Sequence, residues 1–108
     1  MLHYERRKHR RYLVEGRVVA KSGSGRFAGG LVDVSEGGVL LVTGDGPVPV
    51  GTQIEVDLAI DGFRAAINAK GRVARTAAHV VGIAFSDPPL ELEEAVLWLE
   101  AGFLSSMF

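Results

Sequence analysis

Two short segments of the sequence carry side chains in a pattern suited to gripping an anion. The first is Arg6-Arg7-Lys8-His9-Arg10-Arg11. A guanidinium donates two parallel hydrogen bonds to a phosphate and also lies flat on aromatic rings. Several arginines in one short arm can therefore clamp a planar, doubly charged ligand. The second segment is Asp33-Val34-Ser35-Glu36-Gly37-Gly38. Asp33 brings a carboxylate acceptor, the complement of the N1–H and N2–H₂ donors of guanine, and Ser35 brings a hydroxyl. Gly37 and Gly38 permit positive φ and a close approach of ligand to backbone. Taken singly, the first segment reads as a solvated basic tail and the second as an Asx or Ser/Thr turn with a glycine bulge.

Other chemistry finds little support. His3, His9 and His79 are scattered and lack metal-ligand spacing. Ser35 has no Gly-x-Ser-x-Gly context, and no Walker A or Gly-x-Gly-x-x-Gly run precedes a helix. The chain has no cysteine, which removes disulfides, thiolate zinc sites and cysteine nucleophiles. The expectation is a binding protein with no catalytic residues, no metal and no cofactor.

The elements that must position these two segments read as strands. The 108 residues are 47% hydrophobic and 23% charged, values of one folded domain. Fourteen glycines separate short runs of Val, Ile, Leu and Ala, the rhythm of an all-β chain with tight turns. Strands are expected over 12–22, 26–34, 38–43, 52–60, 63–76 and 79–86. Ile54, Val56, Leu58 and Ile60 alternate with Glu55, Asp57 and Ala59, the period of a strand with one buried face. Asp61-Gly62 signals a two-residue hairpin, and Gly44, Gly46, Pro47 and Pro49 mark a loop. Leu92, Val96, Leu99 and Phe103 then fall on one face of a helix. Asp87 is placed to cap it, Pro88-Pro89 suit its first turn, Glu91, Glu93 and Glu94 favour its N-terminal dipole, and Gly102 is expected to end it. These elements assemble into a small barrel of about six antiparallel strands, plugged or flanked by a C-terminal α-helix. The expected division is a flexible basic arm over 1–11 and the barrel with its helix over 12–108.

Charge is distributed unevenly along this plan. The net charge is −1, yet residues 1–11 hold five basic residues against Glu5, a sum of +4, which leaves −5 on the remainder. A basic arm on an acidic body points to a local anionic partner and away from a broad nucleic-acid surface. No run approaches the roughly 18 apolar residues of a membrane span, and the N-terminus lacks the apolar stretch of a signal peptide. A cytoplasmic protein without membrane insertion is expected.

The two segments together resemble the PilZ domain family, whose pattern is Arg-x-x-x-Arg followed about twenty residues on by Asp/Asn-x-Ser-x-x-Gly. Here Arg7 to Arg11 supplies the first motif and Asp33 to Gly38 the second, 22 residues beyond Arg11. An Arg6/Arg10 register is also open for the first motif. Gly51-Thr52 and Val81-Gly82-Ile83-Ala84-Phe85 extend the likeness, which runs from Glu5 to about Glu100. The resemblance implies a bacterial receptor for cyclic di-GMP, with a six-stranded antiparallel barrel of split-barrel type and a C-terminal α-helix. It implies that Arg7 and Arg11 bind phosphates and guanine edges, that Asp33 and Ser35 hydrogen-bond a guanine, and that Gly38 shapes the turn, with Arg10 and Gly37 as further contacts. Arg6, just before the motif, would accompany an intercalated pair of ligands. A stand-alone member would order its arginine arm on binding and signal to a partner protein in motility, biofilm or polysaccharide control. Two rival readings remain. One is a PilZ-like adaptor that does not bind nucleotide. The other is an arm that binds nucleic acid or anionic lipid non-specifically, which five basic residues with only Tyr4 and Tyr12 nearby support weakly.

Overall fold

Alternation of inward apolar and outward polar side chains builds most of the molecule. The computed structural model describes residues 10–23, 25–45 and 48–105. Seven strands and one helix follow in order: β1 (Tyr12–Leu13), β2 (Gly16–Ser22), β3 (Gly25–Val34), β4 (Gly38–Val42), β5 (Gln53–Ile60), β6 (Ile67–Ala77), β7 (Val80–Ser86) and α1 (Leu90–Ser105). All pairings are antiparallel. The sheet runs β3-β2-β5-β6-β7-β4, and the pairing of β4 with β3 closes it into a six-stranded barrel. Closure removes the exposed edges that an open sheet of this length would present.

The core is filled by the inward set of each strand. Val18 and Ala20 of β2, Leu31 and Val34 of β3, Val39 and Leu41 of β4, Ile54, Val56, Leu58 and Ile60 of β5, Ile67, Ala69 and Val73 of β6, and Val81 and Ile83 of β7 are all buried. Leu92 and Ala95 bring α1 into the same cluster, with Leu99 packed half-buried against it. The helix thus flanks the barrel by its first half, on positions i, i+3, i+4 and i+7 of Leu92, Ala95, Val96 and Leu99.

Several local expectations are corrected. The strand expected over 12–22 is broken at Val14-Glu15 into β1 and β2, both paired to β3. Asp61-Gly62 is not a two-residue hairpin, because the last β5–β6 pair is Leu58 with Ile67. It is instead the centre of a turn in which the Phe63 N–H donates to the Ile60 carbonyl at 3.0 Å, with Gly62 at φ 88°. The strand expected from Phe63 begins only at Ile67, after that turn. At α1, Asp87 lies three residues before the first helical residue, with φ 52°, so it does not cap the helix. The helix also continues past Gly102 to Ser105, and Phe103 is exposed and not part of the buried face.

Candidate functional site

The corner between β3 and β4 departs from regular alternation, and the departure places its polar groups. Leu31 faces Leu41 and Asp33 faces Leu40, so Val32 is an extra residue on β3. Because strand side chains alternate, an unbulged β3 with Leu31 inward would send Asp33 inward and Val34 outward. The bulge reverses the phase. Val34 enters the core, and Asp33 comes to the rim with its side chain 13% exposed. The Val32 carbonyl at the bulge accepts from the Val14 N–H at 3.1 Å, in the break between β1 and β2.

Arg11 stands immediately before β1, and β1 pairs Tyr12 with Val34 and Leu13 with Asp33. That register carries the arginine back over the carboxylate. Its Nη1 donates to Asp33 Oδ1 at 2.8 Å, a contact between residues 22 apart in sequence. The pair is shielded but not sealed, since the arginine side chain is 25% exposed. Arg11 Nε is buried and finds no acceptor among the described residues.

Ser35, Gly37 and Gly38 form the turn beyond Asp33. The buried Ser35 hydroxyl accepts from the Gly37 N–H at 3.1 Å and donates to the Gly38 carbonyl at 3.4 Å. The Ser35 N–H donates to the same carbonyl at 2.9 Å, and the Phe85 N–H donates to the Gly37 carbonyl at 2.9 Å, which pins the turn to β7. Ser35 therefore shapes the turn through its own hydroxyl. Neither Gly37 nor Gly38 has positive φ, contrary to the expectation from sequence. Gly38 is required for another reason: a Cβ there would overlap the Ile83 carbonyl oxygen of the neighbouring strand.

The structure thus joins Arg11, Asp33, Ser35, Gly37 and Gly38 at one corner, while Arg6 and Arg7 lie outside the described residues. Arg10 lines a groove next to this corner. The groove, about 1060 Å³, runs between the residues around β1 and the last turns of α1 and is bordered by Arg10, Arg11, Tyr12, Trp98, Leu99 and Phe103. Trp98 went unnoticed in the sequence because it lies beside the helix face of Leu92, Val96 and Leu99. Its solitary status and flanking position were the available signals. Phe63 meets its ring at 5.5 Å between centroids, and Arg64 lies over Phe63 and reaches Glu94 at 3.6 Å. No cluster of three or more potential metal ligands is found among the described residues. No helix there is long and apolar enough to cross a membrane.

Comparison with known proteins identifies the family and the fold. The family model of the PilZ domain matches residues 5–100. The chain belongs to the PilZ domain family. Both motifs and the whole barrel fall within the matched residues. PilZ domains are receptors and adaptors of the cyclic di-GMP type and not enzymes. No curated protein matches the chain. Among solved structures, the Bacillus subtilis inhibitor of motility (MotI/DgrA) superposes with a TM-score of 0.76 at 15% identity, over 94% of this chain and 53% of that one. The chain thus spans about half the length of that protein. The PilZ domain of YcgR from Escherichia coli, solved with c-di-GMP, gives 0.75 at 12% identity over 95% and 98% of the two chains. The PilZ domain of CeSA from a cellulose-synthesizing bacterium gives 0.64 at 18% identity over 87% and 97%. At these identities the likeness establishes the shared fold.

Proposed function

We propose that this chain is a cyclic di-GMP receptor whose ligand-bound corner is read by a partner protein. The observation that carries the reading is the 2.8 Å contact of Arg11 with Asp33, which unites two motifs 22 residues apart. The YcgR domain solved with c-di-GMP supports it through its shared fold. On binding, the ligand's phosphates draw the guanidinium of Arg11 together with that of Arg7, and the guanine N1–H and N2–H₂ take the Asp33 carboxylate. One ion pair is exchanged for contacts on both partners. Ser35 and Gly37 hold the turn against β7, and Gly38 lets β4 and β7 approach, so the carboxylate is presented in a fixed direction. The acidic body repels a dianion, so the basic residues before β1 supply the attraction. Micromolar affinity corresponds to about −8 kcal/mol, which must include the cost of ordering those residues.

Arg6 sets the stoichiometry in this reading. Two stacked ligands bring four phosphate charges together, and a third guanidinium offsets their repulsion and stacks on the outer guanine. Two ligands per domain are expected at saturation, and Arg6→Leu should shift this toward one. The partner belongs to motility, biofilm or polysaccharide control, in a cytoplasmic setting.

The test is calorimetric titration of cyclic di-GMP, GTP and a short single-stranded DNA at two salt concentrations. Arg7→Ala and Arg11→Ala should each weaken cyclic di-GMP binding about tenfold or more, since a charge-assisted contact is worth about 1.5–3 kcal/mol. Wild-type affinity in both variants would remove the site. Because Arg11 is tied to Asp33, its variant should also lose a little stability, about 1 kcal/mol or less for a pair that keeps some solvent contact.

A further inference from the structure

The groove beside the Arg11–Asp33 corner is unused by the contacts described so far. Its walls are of two kinds. Arg10 and Arg11 stand on the β1 side, and Trp98 with Leu99 stands on the α1 side. Trp98 is 43% exposed although it packs on Phe63, and a Cβ at Gly62 would sit 3.2 Å from its ring. The β5–β6 turn therefore holds the indole in place while leaving much of it open to solvent. Arg11 belongs both to the corner and to the groove, and its Nε is a donor still lacking an acceptor among the described residues. A groove lined by guanidinium side chains and an anchored indole suits a flat aromatic base attached to a phosphate, because every base has a π-face to stack. The groove's volume is at the upper end for sites that take a whole small molecule, which run to about 1000 Å³.

We infer that this groove is a purine-stacking extension of the nucleotide site, with Trp98 as its platform. The inference rests on the cyclic di-GMP reading above and adds the recognition of a second base. One guanine is read by Asp33 at the turn, and the phosphate passes Arg11. The other guanine of the same or a stacked ligand lies in the groove against the indole. Trp98 gives affinity without reading hydrogen-bond donors, so it should favour any purine, whereas Asp33 discriminates guanine.

Trp98 is the only tryptophan of the chain, so its emission reports on the groove directly. Titration of the full chain with cyclic di-GMP should change the intensity or wavelength of that emission, saturating at the affinity calorimetry gives. Trp98→Ala should weaken binding about tenfold, the scale of one base–aromatic stack, and Trp98→Phe should recover most of it, with thermal melts confirming the fold. If Trp98→Ala does not fold, the wild-type emission titration decides. Calorimetric binding with unchanged emission overturns the inference and leaves the nucleotide reading intact. So does wild-type affinity in a folded Trp98→Ala. Emission that shifts with protein concentration alone, and not with ligand, assigns the groove to a second copy of the chain and also overturns it. No heat with cyclic di-GMP removes the nucleotide reading, and this inference with it.

Discussion

The β5–β6 wall and the β3–β4 corner are both antiparallel connections, yet they do different work. Along β5 and β6 the register runs unbroken from Gln53–Arg72 to Leu58–Ile67. Every second residue of β5 is buried, and the outer face carries a polar ladder in which the Asn68 amide donates to Glu55 at 2.8 Å and Asp57 at 2.9 Å. At the corner the register slips at Val32, the polar side chains are partly or fully shielded, and the hydroxyl of Ser35 is turned back into its own backbone. Regular alternation makes a wall with a dry side and a wet side. A single inserted residue makes a rim, where a carboxylate can be half-shielded and aimed without entering the core.

The sharpest way to separate the two regions is to damage the wall. Leu58 is fully buried and faces Ile67 across the pair. Leu58→Ala should cost about 2–5 kcal/mol of stability, read by urea denaturation, while the folded protein binds ligand as the wild type does. Loss of affinity at full folding would show that wall and rim are not separable. Next comes Gly38→Val, where the added side chain collides with the Ile83 carbonyl. It should cost about 1–3 kcal/mol and weaken binding, because the turn can no longer sit against β7. Gly44→Val is the control, since nothing lies within 4 Å of its Cβ position; equal losses in the two variants would refute the close-approach account. The smallest effect is expected at Asn68→Ala. An exposed polar ladder should contribute within about 0.5 kcal/mol and nothing to binding, and a larger drop in the denaturation midpoint would raise the wall's outer face to the importance of the rim.

Much of this was legible in the residues. The alternation over Ile54 to Ile60 reads directly as β5 because one face must be dry, and the glycine-bounded apolar runs place the other strands nearly as they stand. The resemblance singled out Arg11, Asp33, Ser35 and Gly38, which the fold brings to one corner, and Arg6 and Arg7, which lie outside the described residues. Misreadings fell at the ends of elements, where composition alone marks a turn or a stop. Asp61-Gly62 has the composition of a two-residue hairpin, but Phe63 packs on Trp98 and draws the chain away before β6 begins. Gly102 has the composition of a helix end, yet α1 runs three residues beyond it.

What the sequence determined alone is therefore the periodic part: strand faces, the acidic body with its basic start, and the chemical types present in the two motifs. These follow from solvent, because each side chain's preference for water or oil is its own property and alternation needs no partner to be read. What only the tertiary structure decided is direction. Whether Asp33 faces the core or the rim depends on one unpaired residue opposite β4. Whether Gly38 is needed for its φ or for its missing Cβ depends on how near β7 comes. Whether Arg11 meets Asp33 depends on where β1 joins β3. Each is a relation between strands, whether neighbours in the chain as β3 and β4 are or distant as β4 and β7 are, and no single strand contains it.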